Sequence, residues 1–110
     1  MAKSNSKYSL RYLPLFYDDL EEHVTYIAEV LHNRKAANDM LDAIESAILE
    51  RLPNAESFEP YHSVKDRKYP YYRIYVKNYT VYYVVIPEGK GKKIMEVRRL
   101  LHSRQNREII

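Results

Sequence analysis

The chain contains no cysteine, so neither a disulfide framework nor a thiolate metal cluster can hold its fold together. A reducing compartment suits such a sequence. Glycine is nearly as scarce: Gly89 and Gly91 are the only two, and both fall in one turn signal at 87–91. No phosphate-cradling loop of the GxxxxGKS or GxGxxG kind exists, and nucleotide-dependent chemistry is not expected. No stretch approaches the ~20 apolar residues of a membrane span, and no apolar signal segment follows the lysines of residues 1–7. The expectation is a cytoplasmic protein with no membrane contact. His23 and His32 are nine residues apart, which on one helix sets them on opposite faces at about 100° per residue. With no zinc spacing elsewhere, neither a metal ion nor a cofactor is expected. The carboxylates of the first half recur at solvent-face spacing and read as solvated helix surface, not as a pair for glycoside chemistry.

What the sequence does have is a separation of charge. Residues 1–60 hold six Lys and Arg against eleven Asp and Glu, a net of −5, whereas residues 61–110 hold twelve against four, a net of +8. At 110 residues the chain fits one domain spanning 1–110. Its second half is therefore a basic module, which favours an anionic partner such as nucleic acid or an acidic polypeptide. A charge balance set only for solubility is the plainer alternative.

Tyr8, Leu10 and Tyr12 alternate with Ser9 and Arg11, as a short strand requires. Pro14 stops it and suits the first turn of a helix. From there Phe16, Leu20, Val24, Ile27 and Leu31 recur at helical spacing and predict an amphipathic helix over about 14–32. Asp18, Asp19, Glu21 and Glu22 crowd its first turns, near the positive end of the helix dipole. Asn33 suits the N-cap of a second helix over about 35–52, with Ala37, Met40, Leu41, Ile44, Ile48 and Leu52 as the apolar stripe before Pro53. So short a connection makes the two helices antiparallel. Residues 53–66 follow neither period and read as a loop. Tyr72, Ile74 and Val76 then alternate with Arg73, Tyr75 and Lys77, and Asn78 turns the chain into a second strand over 79–86. Residues 92–101 supply another strand, with Met95, Val97 and Leu101 on one face, and 103–110 read as a short helix or tail. The order βααβββ predicts an α+β fold of two layers, a twisted antiparallel sheet with the N-terminal helical hairpin packed on one face. Phe16, Leu20, Val24, Ile27, Leu41, Ile44, Ile48, Val81 and Val97 are its expected core.

The basic sheet interleaves Arg73, Lys77, Arg98, Arg99, His102 and Arg104 with tyrosines. Cations that bind phosphates and aromatic faces that stack on bases are what single-stranded RNA recognition uses. Tyrosines alternating along a strand also serve as half-buried sheet packing, the commoner role. RNA scission by a neighbouring 2′-hydroxyl needs no metal and no cysteine; it needs a base, an acid for the leaving oxygen, and positive charge on the phosphate. His102 ends a basic strand, and Arg73 and Arg104 could supply the charge. A lone histidine is, by the same token, more often structural. Arg98 and Arg99 are adjacent, so strand alternation lets at most one of them share a surface with Arg73.

The element order, with Tyr8-Ser9-Leu10-Arg11-Tyr12 leading into Pro14 and Asp19-Leu20, resembles the RelE/ParE superfamily of toxins. Two later patterns sharpen the likeness: Arg73 followed after four residues by Asn78-Tyr79-Thr80-Val81-Tyr82, and the closing Arg99-Leu100-Leu101-His102-Ser103-Arg104-Gln105. The resemblance runs over about residues 7–108. It implies the toxin of a type II toxin–antitoxin module, partnered by a cognate antitoxin and without a cofactor. Some members cleave mRNA on the ribosome and others poison DNA gyrase. For cleavage the candidate catalytic residues are Arg73, His102 and Arg104, with Lys77, Tyr82 and Arg99 as candidate RNA-binding residues. Many RNA-cleaving members carry an arginine directly after the tyrosine of the second hairpin strand, where this chain has Thr80. Ribosome-dependent mRNA cleavage is the first expectation and ParE-like gyrase inhibition without nuclease activity the alternative.

Overall fold

A computed structural model describes residues 7–61 and 68–105. Strand β1 (Tyr8–Tyr12) leads through Pro14 at the first helical turn into helix α1 (Pro14–Thr25). Helix α2 (Arg34–Arg51) returns antiparallel, and a single 3₁₀ turn, Leu52–Asn54, ends it at Pro53. Strands β2 (Tyr72–Val76), β3 (Tyr79–Gly89) and β4 (Lys92–His102) complete the order βααβββ. The Asn33 side chain caps α2 by accepting the Ala36 N–H at 2.9 Å, as its sequence position predicts.

The first helix stops short of residue 32. A π-helical turn, Tyr26–Val30, follows α1, with the Leu31 N–H donating to the Tyr26 carbonyl at 3.1 Å. The wider turn breaks the 3.6-residue phase, and Leu31, expected in the apolar stripe, is 54% exposed. Leu20, Val24 and Ile27 remain half-buried against the core, and Leu41 is half-buried. Phe16, Ile44, Ile48, Val81 and Val97 are fully inside.

The fold class is α+β with the hairpin on one face, but the sheet is mixed. Its strand order is β1-β4-β3-β2. β2, β3 and β4 form the antiparallel meander, while β1 lies parallel to β4, Tyr8 opposite Lys93 and Tyr12 opposite Val97. Parity then sorts the side chains. Tyr72, Ile74, Val76, Val81, Tyr83, Val85, Met95, Val97 and Leu100 face the helices. On the other face Tyr71, Tyr82, Val84 and Leu101 form a second apolar cluster, joined by Tyr61 and Tyr69 from the preceding segment. Leu101 was expected beside Met95 and Val97. A β-bulge between the pairs Tyr82–Arg99 and Tyr83–Val97 inserts one residue and puts Leu100 there instead.

Residues 53–61 are not a free loop. The Tyr61 N–H donates to the Tyr71 carbonyl at 2.6 Å, and Arg51 anchors the segment at its root. Its Nη1 donates to the Arg73 carbonyl at 3.2 Å and to the Tyr83 hydroxyl at 2.9 Å, and its guanidinium lies 3.5 Å from the Phe58 ring centroid. The Tyr83 hydroxyl donates onward to the buried Ala55 carbonyl at 2.7 Å. The remainder of the expected loop, 62–66, and residues 106–110 of the expected tail lie outside the described residues.

Candidate functional site

At one end of the sheet, the β2–β3 turn and the residues after β4 face the connected end of the helical hairpin. Lys77 takes φ = 55° in the turn, and the Ser103 N–H donates to the Asn78 carbonyl at 2.8 Å, which pins the end of β4 to that turn. The Gln105 side chain accepts the His102 N–H at 2.6 Å, and the His102 carbonyl accepts the Gln105 N–H at 2.9 Å. Between this fixed end and the hairpin opens a cleft of about 590 Å³, whose lining includes His23, Lys77, Tyr79, His102 and Arg104.

Three rings stand in a row there. Tyr79 meets His23 edge-on at 5.0 Å and His102 edge-on at 5.1 Å. Burial pushes the Tyr79 phenol above its ordinary value, so it stays protonated at neutral pH. His102 Nδ1 accepts the Arg104 N–H at 3.1 Å. The neutral ring must then carry its hydrogen on Nε2, and it offers a donor, not a base, to anything outside.

Three of the six sequence-selected residues, Lys77, His102 and Arg104, are therefore together. Arg73 is not with them. It pairs across the sheet with Tyr82 on the face away from the helices, its guanidinium 4.5 Å from the Tyr61 ring centroid and 5.5 Å from that of Tyr75. Tyr82 is 1% exposed, edge-on to Tyr61 and Tyr71. Arg99 is held by Asp19 of α1, Nε to Oδ2 at 2.7 Å and Nη2 to Oδ1 at 2.9 Å. That fork leaves Arg99 little to offer a phosphate. Asp19 also accepts the Leu100 N–H at 2.9 Å and is buried, against the expectation of a solvated helix face. Its signal was present in the sequence, since Asp19 stands three residues after Phe16 and one before Leu20, inside the apolar stripe.

Arg98, the neighbour of Arg99, turns to the open face, 5.9 Å from the Tyr71 ring centroid. There it shares the buried Glu96 carboxylate with Arg11 of β1, which ties the first strand to the last. Burial pushes the Glu96 carboxyl up, but hydrogen bonds and charge from Arg98 and Arg11 outweigh it and hold the group below its ordinary value of 4.5. A carboxylate depressed in the folded state stabilises above its unfolded pKa and loses that contribution as pH falls through the folded one. Glu96→Gln is thus expected to melt below the parent at pH 7, the two curves converging towards pH 3. Parallel melting temperatures across that range would show that the triad contributes nothing.

The four-stranded sheet with its N-terminal helical hairpin packed on one face and Lys77, His102 and Arg104 gathered at one end defines a small α+β protein. The chain belongs to the family of ParE toxins of type II toxin–antitoxin systems, whose model matches residues 10–107, within the RelE/ParE superfamily. It is the toxin of such a system, and an antitoxin is its partner. No curated protein matches it. Among the described residues, no helix is long and apolar enough to cross a membrane.

Proposed function

We propose that this toxin arrests growth by inhibiting DNA gyrase, without cutting RNA. The observation that carries the reading is the division of the cleavage set: Arg73 lies beside Tyr61 and Tyr75 on the sheet face away from the helices, whereas His102 and Arg104 line the cleft at the sheet end. Cleavage requires acid, base and cation to converge on one phosphate within hydrogen-bond reach, about 2.6–3.2 Å. The separation of Arg73 from His102 and Arg104 speaks against such convergence. The His102 tautomer adds support, because an Nε2–H can donate but cannot take the 2′-hydroxyl proton. Membership in the ParE family points the same way.

One observation favours cleavage as a second reading: Lys77, His102 and Arg104 still share a cleft, and a hydrogen-bond donor with two cations is part of a nuclease site. Purified toxin, with and without antitoxin, is to be assayed for gyrase supercoiling and for mRNA cleavage on translating ribosomes. Inhibited supercoiling with intact mRNA is expected. If the parent cuts mRNA and His102→Ala loses about 10²–10⁴-fold in rate, the gyrase reading is wrong and cleavage replaces it.

A further inference from the structure

The cleft at the sheet end has two unlike walls. The sheet supplies Lys77, Asn78, His102 and Arg104, all hydrogen-bond donors, while the hairpin supplies an apolar surface that includes Tyr26, Ile27, Leu31 and Met40. Tyr26 and Leu31 are 52% and 54% exposed, so the apolar wall is open to a ligand. The acidic residue in the lining, Asp39, is already engaged by Lys35 at 3.0 Å. The net character of the donor wall is therefore positive.

Cationic donors facing an apolar, ring-lined wall fit a ligand that is anionic at one end and flat and aromatic at the other. We propose that the cleft binds a nucleoside monophosphate unit, its phosphate on Lys77 and Arg104 and its base against the hairpin wall beside the His23 and Tyr79 rings. About 590 Å³ lies within the range of small-molecule sites, roughly 300–1,000 Å³. The Ser103–Asn78 and His102–Gln105 bonds fix the backbone of the donor wall in place. His102 Nε2–H, its tautomer fixed by the Arg104 N–H, is a further donor for a phosphate oxygen. The glycine-rich loops absent from this sequence hold phosphates through backbone amides; here side chains take that part. The site does not depend on which cellular target the toxin acts on.

The unit is either a free nucleotide or the phosphorylated end of a nucleic acid strand. Isothermal titration of the purified toxin with AMP, adenosine, inorganic phosphate, and a short oligodeoxynucleotide with and without a 5′-phosphate separates these. Saturable binding of AMP is expected, with adenosine and phosphate each weaker by about tenfold or more. Stronger binding of the phosphorylated oligonucleotide than of AMP would identify a strand end as the ligand, and equal or weaker binding a free nucleotide. Lys77→Asn with Arg104→Ala should weaken AMP binding by about tenfold or more. Asparagine tolerates the positive φ of position 77, so the fold is kept. Lys90→Asn with Lys92→Ala, the same charge change at the distal β3–β4 turn with asparagine again at a positive φ, should leave affinity unaltered. Tyr26→Ala should bring AMP towards the affinity of phosphate alone. The proposal is overturned if AMP shows no saturable binding, if phosphate binds as tightly as AMP, or if both double variants weaken binding equally.

Discussion

Replacing Asp19 by alanine is expected to destabilise the toxin by about 3–5 kcal/mol, against a total stability on the order of 5–15 kcal/mol for a domain of this size. The reason is what remains behind. Asp19 and Arg99 side chains are 9% and 16% exposed, so the deletion strands a guanidinium that water reaches poorly, together with the Leu100 N–H that the same carboxylate accepts. Asp19→Asn keeps the shape and loses the charge, and should fall between the parent and the alanine variant. Asp18→Ala, one residue away and exposed, should stay within about 0.5 kcal/mol. Urea denaturation reads all three. A loss under about 1 kcal/mol for Asp19→Ala would mean that the ion pair is nearly neutral in net effect, and that α1 is held to β4 by apolar contact alone.

Phe16→Ala should cost a similar amount, about 3–5 kcal/mol, for a different reason. Phe16 is 2% exposed, stacked on Tyr12 with ring centroids 5.3 Å apart and edge-on to Tyr17 at 5.9 Å. It sits under the groove between the two helices, next to Leu20 and Ile44. Truncation therefore opens a cavity where α1, α2 and β1 meet, and the strand below cannot collapse into it without losing its pairing to β4. Phe16→Leu keeps much of the volume and should cost less than about 1.5 kcal/mol if the neighbours repack. Equal losses for the two variants would place the cost in the aromatic stack and not in the cavity.

Much of the fold was legible because it is written in short-range periods. The stripe from Ala37 to Ile48 declares α2, Asn33 its cap, and the alternation from Tyr72 to Val76 the first hairpin strand. The site was legible only in part, since it depends on three non-periodic events. The π turn rotates Leu31 out of the core and into the cleft. The pairing of β1 with β4 joins residues far apart in the chain, which no local pattern encodes. The bulge at Arg98 matters most. Counting on from the Tyr83–Val97 pair without it, His102 would fall opposite Asn78 and share the face of Tyr82 and Arg73; with it, His102 pairs with Tyr79 on the helix face. One inserted residue thus parts His102 from Arg73, and alternation alone could not reveal it.

The parallel pairing of β1 with β4 also bears on how the toxin comes into being. Tyr8–Tyr12 is made well before its hydrogen-bonding partner, Lys93–Val97, which follows both helices and two other strands. Until then the leading strand has nowhere to dock, and Tyr8, Leu10 and Tyr12 have no sheet to cover. Contacts between residues so distant in sequence carry a large loop-closure cost and form late. A nascent chain can fold its helical hairpin during synthesis, but it cannot close the sheet, nor assemble the donor wall around His102, before the C-terminal strand has emerged.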